Sequence, residues 1–309
     1  MEKIEIYALD TFPETIRYVY DVYQRLPKKT RQILCGLLGL TRIKQPEVSC
    51  ICPTYGRVDV LEEAIYSFLK QDYRGSKELI ILNDFEQQTL VFDHPEVRII
   101  NFPKRLRTLG EKYKAAVGLC SHDLIFVWHD DDIYLPHRLS YAVKQIYGNN
   151  TRPDFNLKKH KSFFRPDKVL VWNGQQLSGP AVGRFHGGSS WTRALFASVR
   201  GYAHINYGYD EELETQFEKD PQDILISDIL PEDIYYIYRQ GGNNTYHLSD
   251  FASDGAGNEY DRVAAFVQCQ AEQGKIKQGH IELEPRWQTD YTHLVRDFLQ
   301  AGKVAVAAK

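Results

Sequence analysis

The chain has 309 residues, 43% of them hydrophobic and 26% charged, a balance that suits a soluble globular protein with one large domain or two small ones and excludes wholesale disorder. With 38 Lys and Arg against 41 Asp and Glu the formal charge is −3, so no global basic field exists to hold a phosphate polymer, and nucleic acid is left only a local patch. No apolar run approaches the roughly 20 residues that span a bilayer, and the start, MEKIEIYALDTFPET, is acidic where a secretion signal is basic and then apolar. A soluble cytoplasmic protein is the expectation. The five cysteines are odd in number and scattered. Cys50 and Cys52 read as small buried hydrophobes, with neither a disulfide framework nor a zinc spacing.

Residues 1–46 stand apart: TFPETIRYVYDVYQRL carries apolar residues at helical spacing and runs into the basic PKKTRQ. A helical extension is expected there. RQILCGLLGL is too short to span a membrane and reads as burial against the main domain, with peripheral membrane contact as the other reading. At Val48 the texture changes, because VSCICPTY is a short β-prone run that ends at Pro53, as in a strand buried on both faces. In RVDVLEEAIYSFLKQDY the apolar Val60, Leu61, Ala64, Ile65, Phe68 and Leu69 recur at three- and four-residue steps, which predicts a helix lying on a sheet. ELIILND and VRIINF read as further strands, TLGEKYKAAVGLCS as a helix, and DLIFVWHDDD as a fourth strand ending in three acids. Strands alternating with helices imply right-handed crossovers and a mainly parallel, Rossmann-like α/β sheet flanked by helices. Ligands of such sheets collect at the carboxyl ends of the strands, which draws Thr54, Tyr55, Asp84 and Asp130 to Asp132 to one edge.

Beyond Gly148 the pattern loosens, and NNTRPDFNLKKHKSFFRPDK reads as a long loop or irregular crossing. KVLVWNG and DIYYIYRQ are strand-like and flank a Gly-rich middle. Residues 259–273 and 288–301 return to helical spacing, so the expected organisation is a helical extension at 1–46, a main domain at 47–250 with halves 47–147 and 148–250, and a helical extension at 251–309.

His129-Asp130-Asp131-Asp132 is the strongest chemical signal. Three adjacent carboxylates repel one another, and a hard divalent ion relieves that repulsion while bridging one or two of them to a diphosphate. The competing reading makes Asp132 the cap of a helix starting near Pro136 and leaves the other two solvated. Asp84 closes its strand in the same manner, and a carboxylate there accepts hydrogen bonds from a base or ribose, or simply makes a turn. Lys104, Arg105 and Arg107 face phosphates or solvent, and Gly110 allows a turn before a helix beginning near Glu111.

VSCICPTYGR, LEEAIYSFLKQDY, ELIILND and HDDDIYLPHRL, in this order, resemble the nucleotide-diphosphate-sugar domain of family 2 glycosyltransferases with the GT-A fold. The resemblance is strong over residues 48 to 142 and weaker to about 250. It implies an inverting, metal-dependent transfer of sugar from a nucleotide-diphosphate sugar, expected to be a UDP-sugar, with Mn2+ or Mg2+ on the diphosphate. By that resemblance Pro53, Thr54, Tyr55 and Arg57 line the nucleotide pocket and Asp84 contacts the base. Asp130 lies near the ribose, Asp131 is the foremost metal ligand, and Asp132 supports it. His247 matches the downstream His that some GT-A enzymes add to the metal shell, although a lone His is also commonly structural. Three departures stand out: Gly56 where the family has Asn, Asn83-Asp84-Phe85 in place of a double Asp and a small residue, and His129 where many members carry the first acid. The metal function then rests on the remaining acids.

An inverting transfer also needs a carboxylate to take the acceptor's proton. GYDEELE resembles the acidic segment opening the helix under the acceptor site, which puts Asp210 first and Glu211 second, with Glu212 beside them. Glu232 and Asp233 imitate the motif but precede a β-prone run. His186 with the Gly187-Gly188 turn is placed to approach a ligand, and Trp191 reads as core or as a sugar platform. The acceptor hydroxyl belongs to a glycan, a lipid-linked glycan, a protein or, disfavoured by charge, nucleic acid. A nucleotidyltransferase or phosphohydrolase using the same acids, or a silent glycan-binding module, are the alternatives. Asn149 and Asn243 begin Asn-x-Thr sequons that matter only in a secretory compartment. The whole assignment fails if the acids after the fourth strand face away from any cavity or are consumed by lysines and arginines.

Overall fold

Val48–Thr54 (β1) is buried at every position, which is why its sequence is continuously apolar and not alternating. In the computed structural model, which describes residues 25–27, 30, 45–148, 161–219, 221–240 and 259–307, β1 pairs in parallel with Lys77–Asn83 (β2) on one side and Leu124–Val127 (β5) on the other. Val97–Asn101 (β4) extends the sheet beyond β2, also in parallel. The connections carry the expected helices, Val58–Leu69 (α1) and Leu109–Leu119 (α2). Three more strands complete a seven-stranded central sheet. Ser190–Thr192 (β10) runs antiparallel to β5 and to Phe163–Pro166 (β7), and Ile224–Ser227 (β11) lies outside β7. This is the mainly parallel α/β architecture that the sequence predicts.

A second sheet joins Ile133–Tyr134 (β6), Tyr236–Arg239 (β12), Lys168–Trp172 (β8) and Leu177–Val182 (β9) in the order β6-β12-β8-β9. Gln88–Val91 (β3) pairs in parallel with Gly279–Glu282 (β13). Helices Arg138–Tyr147 (α3), Arg193–Ser198 (α4), Tyr209–Phe217 (α5), Glu259–Glu272 (α6) and Tyr291–Ala307 (α7) follow in chain order. Residues 46–146 and 161–309 form one compact unit. The other unit, residues 1–45 and 147–160, lies almost entirely outside the described residues, and with it the expected N-terminal helices and RQILCGLLGL. Both sequons also fall outside them.

Three local expectations are corrected. The fourth strand stops at Val127, and the acids sit on the bend that carries the chain from β5 to β6. Trp128 is anchored just ahead of this bend, its indole N–H donating to Ala64 O at 3.0 Å while its backbone N–H still reaches Ile51 O at 2.8 Å. The stretch read as an irregular crossing contains β7, because Phe163 and Phe164 are fully buried and their Lys- and Pro-rich flanks mask a core strand. Gly110 lies inside α2, which starts at Leu109 and is capped by the Thr108 hydroxyl accepting from Glu111 N–H at 3.1 Å. A Cβ on Gly110 would stand 1.8 Å from Ala203 O, so glycine is needed there for close approach and not for a turn.

The C-terminal segment is fastened to the front half of the same unit. Val263 and Val267 of α6 pack on Phe85, which accounts for a large residue where the family carries a small one. Glu62 and Glu63 of α1, both buried, accept backbone N–H bonds from Glu284 and Gln288 at 2.9 Å each.

Candidate active site

The turn after β1 is made by Gly56 at φ 72, a conformation open to glycine and, among residues with a Cβ, most readily to Asn. The turn delivers Arg57 to the start of α1. Its Nη1 donates to Asp130 Oδ1 at 3.1 Å and Asp131 Oδ2 at 2.5 Å.

These groups border a cavity of about 440 Å³. Pro53, Thr54, Tyr55 and Arg57 line it from the β1 turn, His129, Asp130 and Asp131 from the β5–β6 bend, and Tyr209, Asp210 and Glu211 from the start of α5. Arg184, Asn206 and Tyr207 come from the second half, Arg105 and Lys112 from around α2, and Tyr260 and Val263 from α6. Four cations and four acids thus share one concave surface. Arg105 is held by stacking, its guanidinium 4.3 Å from the Tyr55 ring centre and 3.5 Å from that of Tyr260.

The three neighbouring aspartates are not equivalent. Asp130 and Asp131 are buried but line the cavity. Burial lifts the Asp130 carboxyl above its ordinary value, the charge of Asp131 adds to that, and Arg57 opposes both. Asp132 is fully buried and its oxygens are taken: Oδ2 accepts from the Tyr236 hydroxyl at 2.6 Å and lies 3.0 Å from His129 Nδ1, while Oδ1 accepts from Arg239 N–H at 2.8 Å. Burial would raise its pKa, but the hydrogen bonds from His129, Tyr236 and Arg239 outweigh burial and hold it low. His129 shows the reciprocal effect, burial opposing its charge and Asp132 with its neighbours raising its pKa.

A divalent ion fits this corner. His129 Nε2 and Asp130 Oδ2 are both shut off from solvent with no hydrogen-bond partner among the described residues. One ligand atom each of His129, Asp131 and Asp132 lies within 4.8 Å of the others. The ion pair with Arg57 engages Asp130 through Oδ1 and leaves Oδ2 outside it.

Asp84 behaves differently from expectation. It is fully buried, accepts from Leu106 N–H at 3.0 Å and forms a salt bridge with Lys112, whose Nζ also donates to Thr54 O at 2.6 Å. Asp84 thus lies outside the cavity lining, and Lys112, missed in the sequence, stands between it and the β1 turn. Glu232 and Asp233 sit on a short turn, Pro231–Asp233, away from the cavity. His247 lies outside the described residues. Trp191 is fully buried and stacks on His186, so it is core.

Behind the cavity, α5 is anchored by a buried network. Glu214, one helical turn after Asp210, accepts from Ser189 Oγ at 2.6 Å and pairs with His186 Nδ1 at 2.7 Å and Arg165 Nε at 2.9 Å. His186 Nε2 in turn meets the Tyr202 hydroxyl at 2.8 Å. Burial alone would raise Glu214, but His186, Arg165 and Ser189 prevail and lower it. A carboxylate lowered in the folded state contributes stability above its unfolded pKa of about 4.3 and loses that contribution as pH falls through the folded value. Urea midpoints measured from pH 7 down to pH 3 are expected to fall more steeply in the wild type than in Glu214→Gln. Parallel curves would refute this coupling.

Residues 49–167 match the model of glycosyl transferase family 2, and this segment is a family 2 glycosyltransferase domain. No curated protein sequence matches the chain. Among solved structures, S. aureus TarS 1-349 in complex with UDP-GlcNAc is similar at 13% identity and a TM-score of 0.50, over 82% of this chain and 71% of that one. S. aureus TarS 1-349 on its own aligns at 14% identity and 0.47, over 62% of this chain and 60% of that one. Mannosyltransferase PcManGT from Pyrobaculum calidifontis, in complex with GDP-Man and Mn2+, aligns at 14% and 0.47, over 76% and 66%. The chain thus spans about three-fifths of TarS 1-349 in the second alignment. The fold is GT-A.

Proposed function

We propose that the chain is an inverting glycosyltransferase that moves a sugar from a nucleotide-diphosphate donor, UDP-linked, to a hydroxyl acceptor. The observation that carries this reading is the meeting, in one cavity, of Asp130 and Asp131 from the β5–β6 bend with Asp210 from the first turn of α5 and the cations Arg57 and Arg184. A family 2 domain supplies the class of reaction. UDP is the first donor to test because TarS 1-349, alike in fold, was solved with UDP-GlcNAc.

In this reading Tyr55 and the β1 turn hold the nucleoside, and Arg57 and Arg184 attract the diphosphate. Asp131 and Asp130 hold a manganese or magnesium ion, which when bound neutralises charge on the departing diphosphate. Asp210 takes the proton of the acceptor hydroxyl as that oxygen bonds to the anomeric carbon and the bond from that carbon to the diphosphate breaks. Tyr207 lines the cavity yet is 70% exposed, which suits stacking against an incoming sugar ring.

Incubating the full chain with Mn2+ and a panel of sugar nucleotides, without acceptor, tests the donor class. Slow release of nucleoside diphosphate and free sugar is expected. Release of pyrophosphate or inorganic phosphate would favour a nucleotidyltransferase or phosphohydrolase, and sugar binding without any turnover a silent module.

A further inference from the structure

Both oxygens of Asp132 are engaged, and it is absent from the cavity lining. Its position next to His129 gives it another use. Asp132 Oδ2 lies 3.0 Å from His129 Nδ1 while the same carboxylate accepts from the Tyr236 hydroxyl and the Arg239 N–H, so the δ nitrogen is the ring atom turned to the carboxylate. That leaves Nε2 as the ring atom available to a ligand, and Nε2 has no hydrogen-bond partner among the described residues although it is closed to solvent. A histidine that ligates a metal nearly always donates its other ring N–H to a carboxylate or carbonyl, which fixes its orientation and raises its basicity. Tyr236 and the Arg239 backbone hold the carboxylate from behind, and Gly187 packs so closely that a Cβ there would stand 3.0 Å from His129 Nδ1. The imidazole is thereby clamped at the edge of the cavity, which Asp130 and Asp131 also line.

From this arrangement we infer that His129 Nε2 is a direct ligand of the divalent ion, alongside Asp131, and that Asp132 orients the histidine without touching the metal. The inference rests on the proposed metal-dependent reading and changes its consequence. A nitrogen donor in the set favours manganese, cobalt and similar transition ions over magnesium, which prefers oxygen.

The test uses the full chain with one equivalent of Mn2+ in the presence of UDP, read by electron spin-echo modulation of the bound Mn2+. Wild-type protein should show 14N modulation from an imidazole. His129→Gln should lose it, with Mn2+ affinity by calorimetry falling about 10- to 100-fold. His129→Asp, which restores an all-oxygen set, should bind Mn2+ without the nitrogen signal and shift the Mn2+/Mg2+ affinity ratio toward Mg2+ by about tenfold. Should the Gln variant fail to fold, the Asp variant carries the same comparison. Mn2+ bound to wild-type protein without 14N modulation, or modulation that survives in either variant, overturns the ligand assignment while leaving the glycosyltransferase reading intact. No Mn2+ binding to wild-type protein with UDP present overturns both.

Discussion

Asp210→Asn is expected to lower the transfer rate by about 100- to 10,000-fold while donor affinity stays at the wild-type level. Asparagine has the same shape and no capacity to accept the proton, so the loss isolates base chemistry from binding. The prediction is specific because Asp210 occupies the first turn of α5, whose N-terminal Gly208 carries no side-chain cap, while Glu214 one turn on ties the helix to the β10 side through Ser189 and His186. Burial of Glu214 therefore holds the helix start in place independently of what Asp210 does. Glu211 also lines the cavity, and Arg184 donates to its backbone carbonyl at 3.2 Å. Single-turnover transfer by Asp210→Asn and Glu211→Gln, side by side, decides between them. Activity retained in the Asp210 variant and lost in the Glu211 variant would reassign the base.

Lys112→Met is expected to cost about 3–5 kcal/mol of folding stability, the magnitude seen when one partner of a buried ion pair is removed and the other charge is stranded. Lys112 is 2% exposed and Asp84 is fully buried. Burial pulls the Lys112 ammonium below its usual pKa and Asp84 pulls it back up. The substitution also takes a donor from Thr54 O at the end of β1. Asp84→Asn in the same chain removes the stranded charge and should recover much of the loss, giving a double-mutant coupling of the two sites. Urea unfolding of both single variants and the double variant measures it. Additive losses would show that the pair is not coupled as the structure places it.

Much of the parallel half was legible in the sequence, because strands covered on both faces must be continuously apolar and the helices between them must show one greasy stripe. VSCICPT, KELIILN and VRIIN fall on β1, β2 and β4. What escaped depends on tertiary neighbours. The strand GHIE carries a charge and a histidine and exists because it finds β3. Lys112 reads as an ordinary helix-surface lysine until Asp84 is brought beneath it by the crossover. Asp130 and Asp131 line the cavity and Asp132 does not, a division hidden in the sequence, since nothing in a run of three aspartates tells which one the Tyr236 hydroxyl and the Arg239 backbone will claim. Arg184, Tyr207 and Tyr260 reach the cavity from segments without a motif, through the geometry of the second sheet and α6.

The β5–β6 bend is expected to hold a divalent ion that a nucleotide diphosphate shares. Isothermal titration of UDP into the full chain, with and without Mn2+, and again with Asp131→Ala, tests it most directly. Mn2+ is expected to tighten UDP binding to the wild type and Asp131→Ala to abolish the enhancement, leaving metal-free binding in place through Tyr55 and Arg57. Equal UDP affinity under all four conditions would contradict it.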